Sequence, residues 1–218
     1  MALKLISFKL CPFVQRSIIM LLEKSIAFEL AYIDLDKKPA WFIDISPLGR
    51  VPLLQINEQT LFESSAINEY LEDAYAPQLH PDDLLLRAEN RAWIEIANQL
   101  STLQFKLVMA QQAAPAKSAQ QQLIELLQQL ESKLGDGPFF NGQAFALIDA
   151  CFAPFFTRQQ VINKYLTPKL IQALPKTTTY SEQLLTRESV INSVVTEYQQ
   201  LYTQRLSDQG SWLLNTPG

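Results

Sequence analysis

The chain has one histidine, two cysteines and six glycines in 218 residues, and each scarcity removes a kind of chemistry. One imidazole and two thiols far apart in sequence do not make a zinc site, which takes three or four ligands at characteristic spacing. His80 stands between Leu79 and Pro81 in a linker-like stretch, so a histidine-based nucleophilic triad is poorly supplied too. The glycines form no phosphate-cradling loop. Basic residues are not in excess, with 18 Lys and Arg against 22 Asp and Glu and a net charge of -4. Nucleic-acid binding needs a basic face that releases counterions, so none is expected. No apolar run suits a membrane span, and Met1-Ala2-Leu3-Lys4 leads straight into strand-like residues with no secretory pattern. Cys11 and Cys151 are too few and too distant for a disulfide framework, which fits a reducing cytoplasm.

What is present is enough apolar sequence for a well-buried core, 48% of residues, in two halves of different periodicity. Leu3 to Phe8 reads as a strand, and Ile18, Leu21, Leu22 and Ser25 follow at helical spacing. Phe28, Leu30 and Tyr32 then alternate with Glu29 and Ala31 as a second strand. Pro39 opens a short helix that ends before Ser46. Leu53 to Ile56 and Thr60 to Phe62 flank a turn at Asn57-Glu58-Gln59 as a hairpin, and from Ser65 a helix places Ile67, Tyr70, Leu71 and Ala74 on one face. The order is βαβαββα, a small mixed sheet with helices on both sides. Ala76-Pro77-Gln78-Leu79-His80-Pro81 breaks the pattern. Residues 1–76 are therefore read as an α/β domain, 77–82 as a linker and 83–218 as an all-α domain, with helices expected over Leu84 to Ala110, Lys117 to Leu134, Ala146 to Val161 and Ser189 to Leu206.

Cys11 falls where the first strand hands over to a helix. Pro12 suits the first helical turn because its missing N–H has no helical partner to lose. Unpaired N–H groups and the positive end of the helix dipole stabilise an anion there, and such placement lowers a cysteine pKa from about 8.5 to roughly 3.5–7.5. The plain alternative is a small buried residue. Val14 stands where a Cys-x-x-Cys motif would carry its second thiol, so disulfide chemistry at Cys11 must borrow a thiol from a small molecule. Glu63-Ser64-Ser65 opens a helix and gathers free N–H groups and hydroxyls that suit an anion, or simply an N-cap. A cis Val51-Pro52 bond would turn the Val51 N–H and C=O outward, though most X-Pro bonds are trans. Lys38 can reach an acidic ligand group or stay solvated, and Trp41 and Phe42 read as core.

Cys11-Pro12-Phe13, Lys38-Pro39-Ala40-Trp41-Phe42, Val51-Pro52 and Glu63-Ser64, followed by a helical second half, together resemble the soluble glutathione transferase superfamily, in particular its omega-like, cysteine-type members. The resemblance implies a thioredoxin-like first domain, an all-α second domain, a two-fold homodimer, and glutathione as co-substrate with no metal. Cys11 is similar to the residue that forms a mixed disulfide with glutathione. Phe13 and Lys38 resemble positions flanking its cysteinyl and glycyl ends, Val51 the backbone partner of its cysteine with Pro52 cis, and Glu63 with Ser64 the binders of its γ-glutamyl group. Gly142 to Asp149 resembles the family's helix-capping segment, with Ala146 in the usual Ser or Thr place. The implied activity is glutathione-dependent thiol transfer or reduction of an oxidant such as dehydroascorbate. Two alternatives stay open: conjugation of glutathione to an electrophile, and a noncatalytic interaction role similar to that of the stringent starvation proteins. The electrophile pocket is expected between Phe13 and the second domain, with Met109, Phe156 and Tyr165 as candidates.

Overall fold

The computed structural model describes residues 2–166 and 169–215. The first part runs β1 (Leu3–Ser7), α1 (Pro12–Glu23), β2 (Glu29–Tyr32), α2 (Ala40–Ile45), β3 (Leu53–Ile56), β4 (Gln59–Phe62) and α3 (Ser64–Ala74). The sheet has the order β2-β1-β3-β4, with β1 parallel to β2 and antiparallel to β3. Leu5 faces Leu30 on one side and Leu54 on the other. Strand alternation then sorts the side chains: Leu3, Leu5 and Leu54 enter the main core with α1 and α3, whereas Ile6 and Leu53 join Ile33 and Phe42 of α2 on the opposite face. This is the thioredoxin-like arrangement, and it carries the Cys11 turn at the end of its central strand.

Residues 75–83 hold no helix or strand, yet they are fastened. The Lys24 ammonium, fully buried beyond the end of α1, donates to the carbonyls of Tyr75 and Pro77 at 2.7 and 2.6 Å and pairs with Glu72 at 2.7 Å. The other Glu72 oxygen accepts from the amides of Leu79 and His80 at 2.7 and 2.6 Å. His80 is buried against Glu69 at 3.1 Å, a structural position.

The second part is helical: α4 (Leu84–Met109), α5 (Ala113–Lys133), α6 (Leu147–Ile162), α7 (Pro175–Thr186), α8 (Glu188–Ile191), α9 (Tyr198–Asp208) and a closing 3-10 turn at Trp212–Asn215. One expectation needs correction: the stretch from Ser189 to Leu206 is not one helix but α8 and α9 separated by the irregular segment 192–197. Helix α7 carries no clear sequence signal because it buries little beyond Thr177, Tyr180, Ser181 and Leu184. Helix α6 is buried on nearly every side and packs against α1, so the main core runs without interruption from β1 to α9. Its first turn is held by Asp149, which accepts from the amides of Phe140 and Ala146 at 3.0 and 2.8 Å and from the Tyr180 hydroxyl at 2.7 Å. The carboxylate half of a capping box thus survives where Ala146 lacks the hydroxyl half. Burial pushes the Asp149 carboxyl up to about 6 against these three donors.

Candidate functional site

Chain reversal after β1 sets the Cys11 position. Its amide donates to the Phe8 carbonyl at 3.0 Å, its own carbonyl accepts from Gln15 at 3.2 Å, and Pro12 starts the helix. Cys11 is therefore the N-cap residue of α1, and no side-chain oxygen caps that helix. The N–H groups of Val14 and Phe13 are directed at the sulfur instead.

The electrostatic outcome departs from the sequence expectation. Burial against the helical part pushes the Cys11 thiol up, above the ordinary cysteine range, and this outweighs the Val14 N–H, the Arg158 guanidinium, the Phe13 N–H and the Arg16 guanidinium, all of which favour the ionised form. The helix N-terminus acts as anticipated. Desolvation by burial, which local spacing does not reveal, reverses the sum.

Phe13, Val51, Pro52, Glu63 and Ser64 come from three separate segments and line one cleft, together with Ser46, Leu48, Arg50 and Phe62. The Val51-Pro52 bond is cis. Glu63 has φ 67 and ψ 121, a conformation that costs a non-glycine residue on the order of 1–3 kcal/mol and swings the chain from β4 into α3. Glu63 is itself the N-cap and Ser64 the first helical residue, with no side-chain cap. The simple reading of Ser64 or Ser65 as a capping hydroxyl is thus not realised, and the first-turn N–H groups of α3 are left for another acceptor. Lys38 is exposed and does not line the cleft. Its ammonium lies 3.5 Å from where a Cβ on Gly49 would stand, against the turn that supplies Ser46, Leu48 and Arg50.

The three candidates for an electrophile pocket do not meet. Phe156 has no exposed surface and packs edge-on against Phe155 and Tyr180, so it is core. Met109 lies in a separate groove with Phe105 and Pro115. Tyr165 is half-buried against the main core beyond the end of α6. What lies behind Cys11 is a polar cluster that the sequence reading passed over: Gln15, Arg158 and Tyr198. Arg158 donates to the Leu10 carbonyl at 2.8 Å and to the Gln15 side chain at 2.7 Å. The available signal was Arg158 as the lone charged residue between Asp149 and Lys164, just after the apolar run Ala150 to Phe156.

A thioredoxin-like sheet carrying a helix-capping thiol, a cleft beside a cis-proline turn, and a mostly helical second part define a glutathione-transferase type of protein. Comparison with known proteins agrees. The family model described as "Glutathione S-transferase, N-terminal domain" matches residues 5–79. Glutathione S-transferase omega-1 of Sus scrofa is 30% identical over 176 residues, 77% of this chain and 73% of that one. A probable glutathione S-transferase of Oryza sativa subsp. japonica, DHAR1, cytosolic, is 30% identical over 186 residues, 84% of this chain and 83% of that one. The crystal structure of glutathione transferase Omega 3C from Trametes versicolor superposes with a TM-score of 0.80 at 30% identity, covering 95% of this chain and 91% of that one. The chain belongs to the glutathione S-transferase family, and within it is omega-like. Among the described residues no helix is long and apolar enough to cross a membrane.

Proposed function

We propose that the protein is a glutathione-dependent thiol transferase with Cys11 as its nucleophile. The observation that carries this reading is a single helix-capping thiol in the turn after β1, two residues before Phe13 of the cleft, with buried Val14 in the place of a resolving cysteine. The ionised Cys11 sulfur attacks the glutathionyl sulfur of a mixed disulfide. A Cys11–glutathione disulfide forms, the original S–S bond breaks, and the released thiolate takes a proton from water. A second glutathione thiolate then attacks the glutathionyl sulfur, giving glutathione disulfide and freeing Cys11. With dehydroascorbate the two glutathiones supply two electrons and two protons, and ascorbate is the other product.

Glutathione is held in this reading by the Val51 backbone beside Pro52, by Glu63 and Ser64 on its γ-glutamyl end, and by Phe13 and Lys38 along its length. Cys151 takes no part, since only 1% of it is exposed. Conjugation to electrophiles is the less favoured chemistry, because a thiol at position 11 reacts with disulfides where a hydroxyl would merely stabilise a bound thiolate. A noncatalytic role leaves the Cys11, Lys38 and Glu63-Ser64 set without purpose. The reading includes a two-fold homodimer and a cytoplasmic location, the latter supported by a relative named as cytosolic. The test is Cys11→Ser, assayed with a glutathione mixed disulfide and with a chlorinated aromatic. Disulfide reduction is expected to fall by about two orders of magnitude or more, as on loss of a covalent nucleophile. Full retention would overturn the mechanism, and faster turnover of the aromatic by the parent protein would favour conjugation.

A further inference from the structure

Three cationic side chains are buried among the described residues: Arg16, Lys24 and Arg158. Lys24 has the Glu72 carboxylate at 2.7 Å. Arg16 and Arg158 have no carboxylate within ion-pairing distance among the described residues, and their hydrogen bonds all go to neutral oxygens. Arg16 donates to Asn98 at 2.6 Å, and Arg158 to Gln15, Pro154 and Leu10 at 2.7, 2.7 and 2.8 Å. Burying a charge without a counter-ion is costly. Both cations favour the ionised form of Cys11, and Arg16 favours that of Cys151 as well.

Arg158 is the better placed of the two. It reaches from α6 to the Leu10 carbonyl, the residue directly before Cys11, and to Gln15 in the first turns of α1. Gln15 is fixed in turn by bonds of 3.0 Å to Thr157 and 3.0 Å to Ser193. The guanidinium also rests 5.6 Å from the centre of the Tyr198 ring, whose buried hydroxyl has no hydrogen-bond partner among the described residues. Among the described residues, the charged and titratable groups that act on Cys11 are therefore Arg16 on α1, Arg158 on α6 and Tyr198 on α9.

We infer that Arg158 is a positioning residue for the thiol-transfer reaction: it fixes the Leu10–Cys11 turn from the helical part and supplies the counter-charge for the ionised Cys11 sulfur. The inference rests on the thiol-transferase reading, but its test separates the two. The pH profile of iodoacetamide alkylation at Cys11, read by peptide mass spectrometry, is compared for the parent protein, Arg158→Lys and Arg158→Gln. Glutamine stays polar but is shorter and carries no charge. Its profile is expected to move up by about one pH unit, a tenfold slower alkylation at fixed pH. Lysine is expected to stay within about threefold of the parent, since it keeps the charge beside the thiol. For Arg158→Gln, kcat/KM in mixed-disulfide reduction should fall at neutral pH and recover as pH rises, with KM for glutathione unchanged within about twofold, a pattern that mere loosening of the fold does not give.

An unshifted profile in folded Arg158→Gln overturns the inference, as does a lysine profile displaced as far as that of glutamine. Should the glutamine variant fail to fold, which alkylation of Cys151 would reveal, Arg158→Lys decides alone: a full unit of displacement overturns the proposal, and a near-parent profile with faster alkylation than at a free thiol of equal burial supports it. A parent protein inactive toward mixed disulfides defeats the thiol-transferase reading, while the alkylation profiles still report on Arg158.

Discussion

Replacement of Lys24 by methionine is expected to be among the most damaging single changes away from the cleft. The Lys24 and Glu72 side chains are 0% and 4% exposed, so the substitution leaves a carboxylate in the interior facing no cation. It also strips the donor from the Tyr75 and Pro77 carbonyls. Breaking a buried pair from one side costs about 3–5 kcal/mol. For a chain of this length each kcal/mol lowers the melting temperature by roughly 2–4 °C, so a fall on the order of 10 °C or more should appear in a thermal melt followed by circular dichroism. The double variant Lys24→Met with Glu72→Leu removes both charges and should recover part of the loss. It should not recover all of it, because the Leu79 and His80 amides then lose their acceptor, at about 1–3 kcal/mol. A single-variant loss below about 1 kcal/mol would refute the reasoning, since it would mean that water reaches the pair.

Asp149 and Glu69 should give stability opposite dependences on pH. The folded Asp149 carboxyl, raised to about 6, binds its proton more tightly than the unfolded chain does, so its contribution favours folding below about pH 4 and is lost as pH rises through 6, by roughly 3 kcal/mol. Comparison of urea unfolding with Asp149→Asn between pH 4 and 7 isolates this slope, and a flat difference would contradict it. Glu69 is held at about 2 by hydrogen bonds from His80 and Arg91, so its stabilisation is present above about pH 4.5 and disappears as pH falls toward 2, a loss that Glu69→Gln should abolish. At the cleft, Glu63→Gly is expected to raise stability by about 1 kcal/mol by relieving the φ 67 backbone while weakening glutathione binding about tenfold. Calorimetric titration with unchanged affinity would remove Glu63 from the binding site. Because burial raises the Cys11 thiol, alkylation of the parent protein should accelerate from neutral into alkaline pH, and a rate already level at pH 7 would oppose that electrostatic balance.

The parts of this molecule legible in sequence are those whose causes are local. Pro12 and the apolar spacing after it placed α1, the alternation around Asn57-Glu58-Gln59 placed the hairpin, and Ala76-Pro77 marked the end of the α/β pattern. Cys11 was legible as a helix cap for the same reason. Its ionisation was not, since the desolvating and charged groups around it come from positions such as Arg158 and Tyr198, far along the chain. The position of an electrophile pocket is illegible for a related cause: Phe156 carries the same aromatic signal whether it faces a cleft or, as here, Phe155 and Tyr180 in the core. Helix α7 escaped notice because its polar face dominates its composition, and the gap between α8 and α9 because the Val190, Val194 and Val195 spacing permits either structure.

The central claim is that Cys11 alone carries glutathione through the reaction. Incubation with a glutathione mixed disulfide, rapid acid quench and peptide mass spectrometry should find one glutathionyl group, on the Cys11 peptide, removed on addition of free glutathione, with the Cys151 peptide unmodified. An unmodified Cys11 in a protein that still turns over the disulfide would contradict the account.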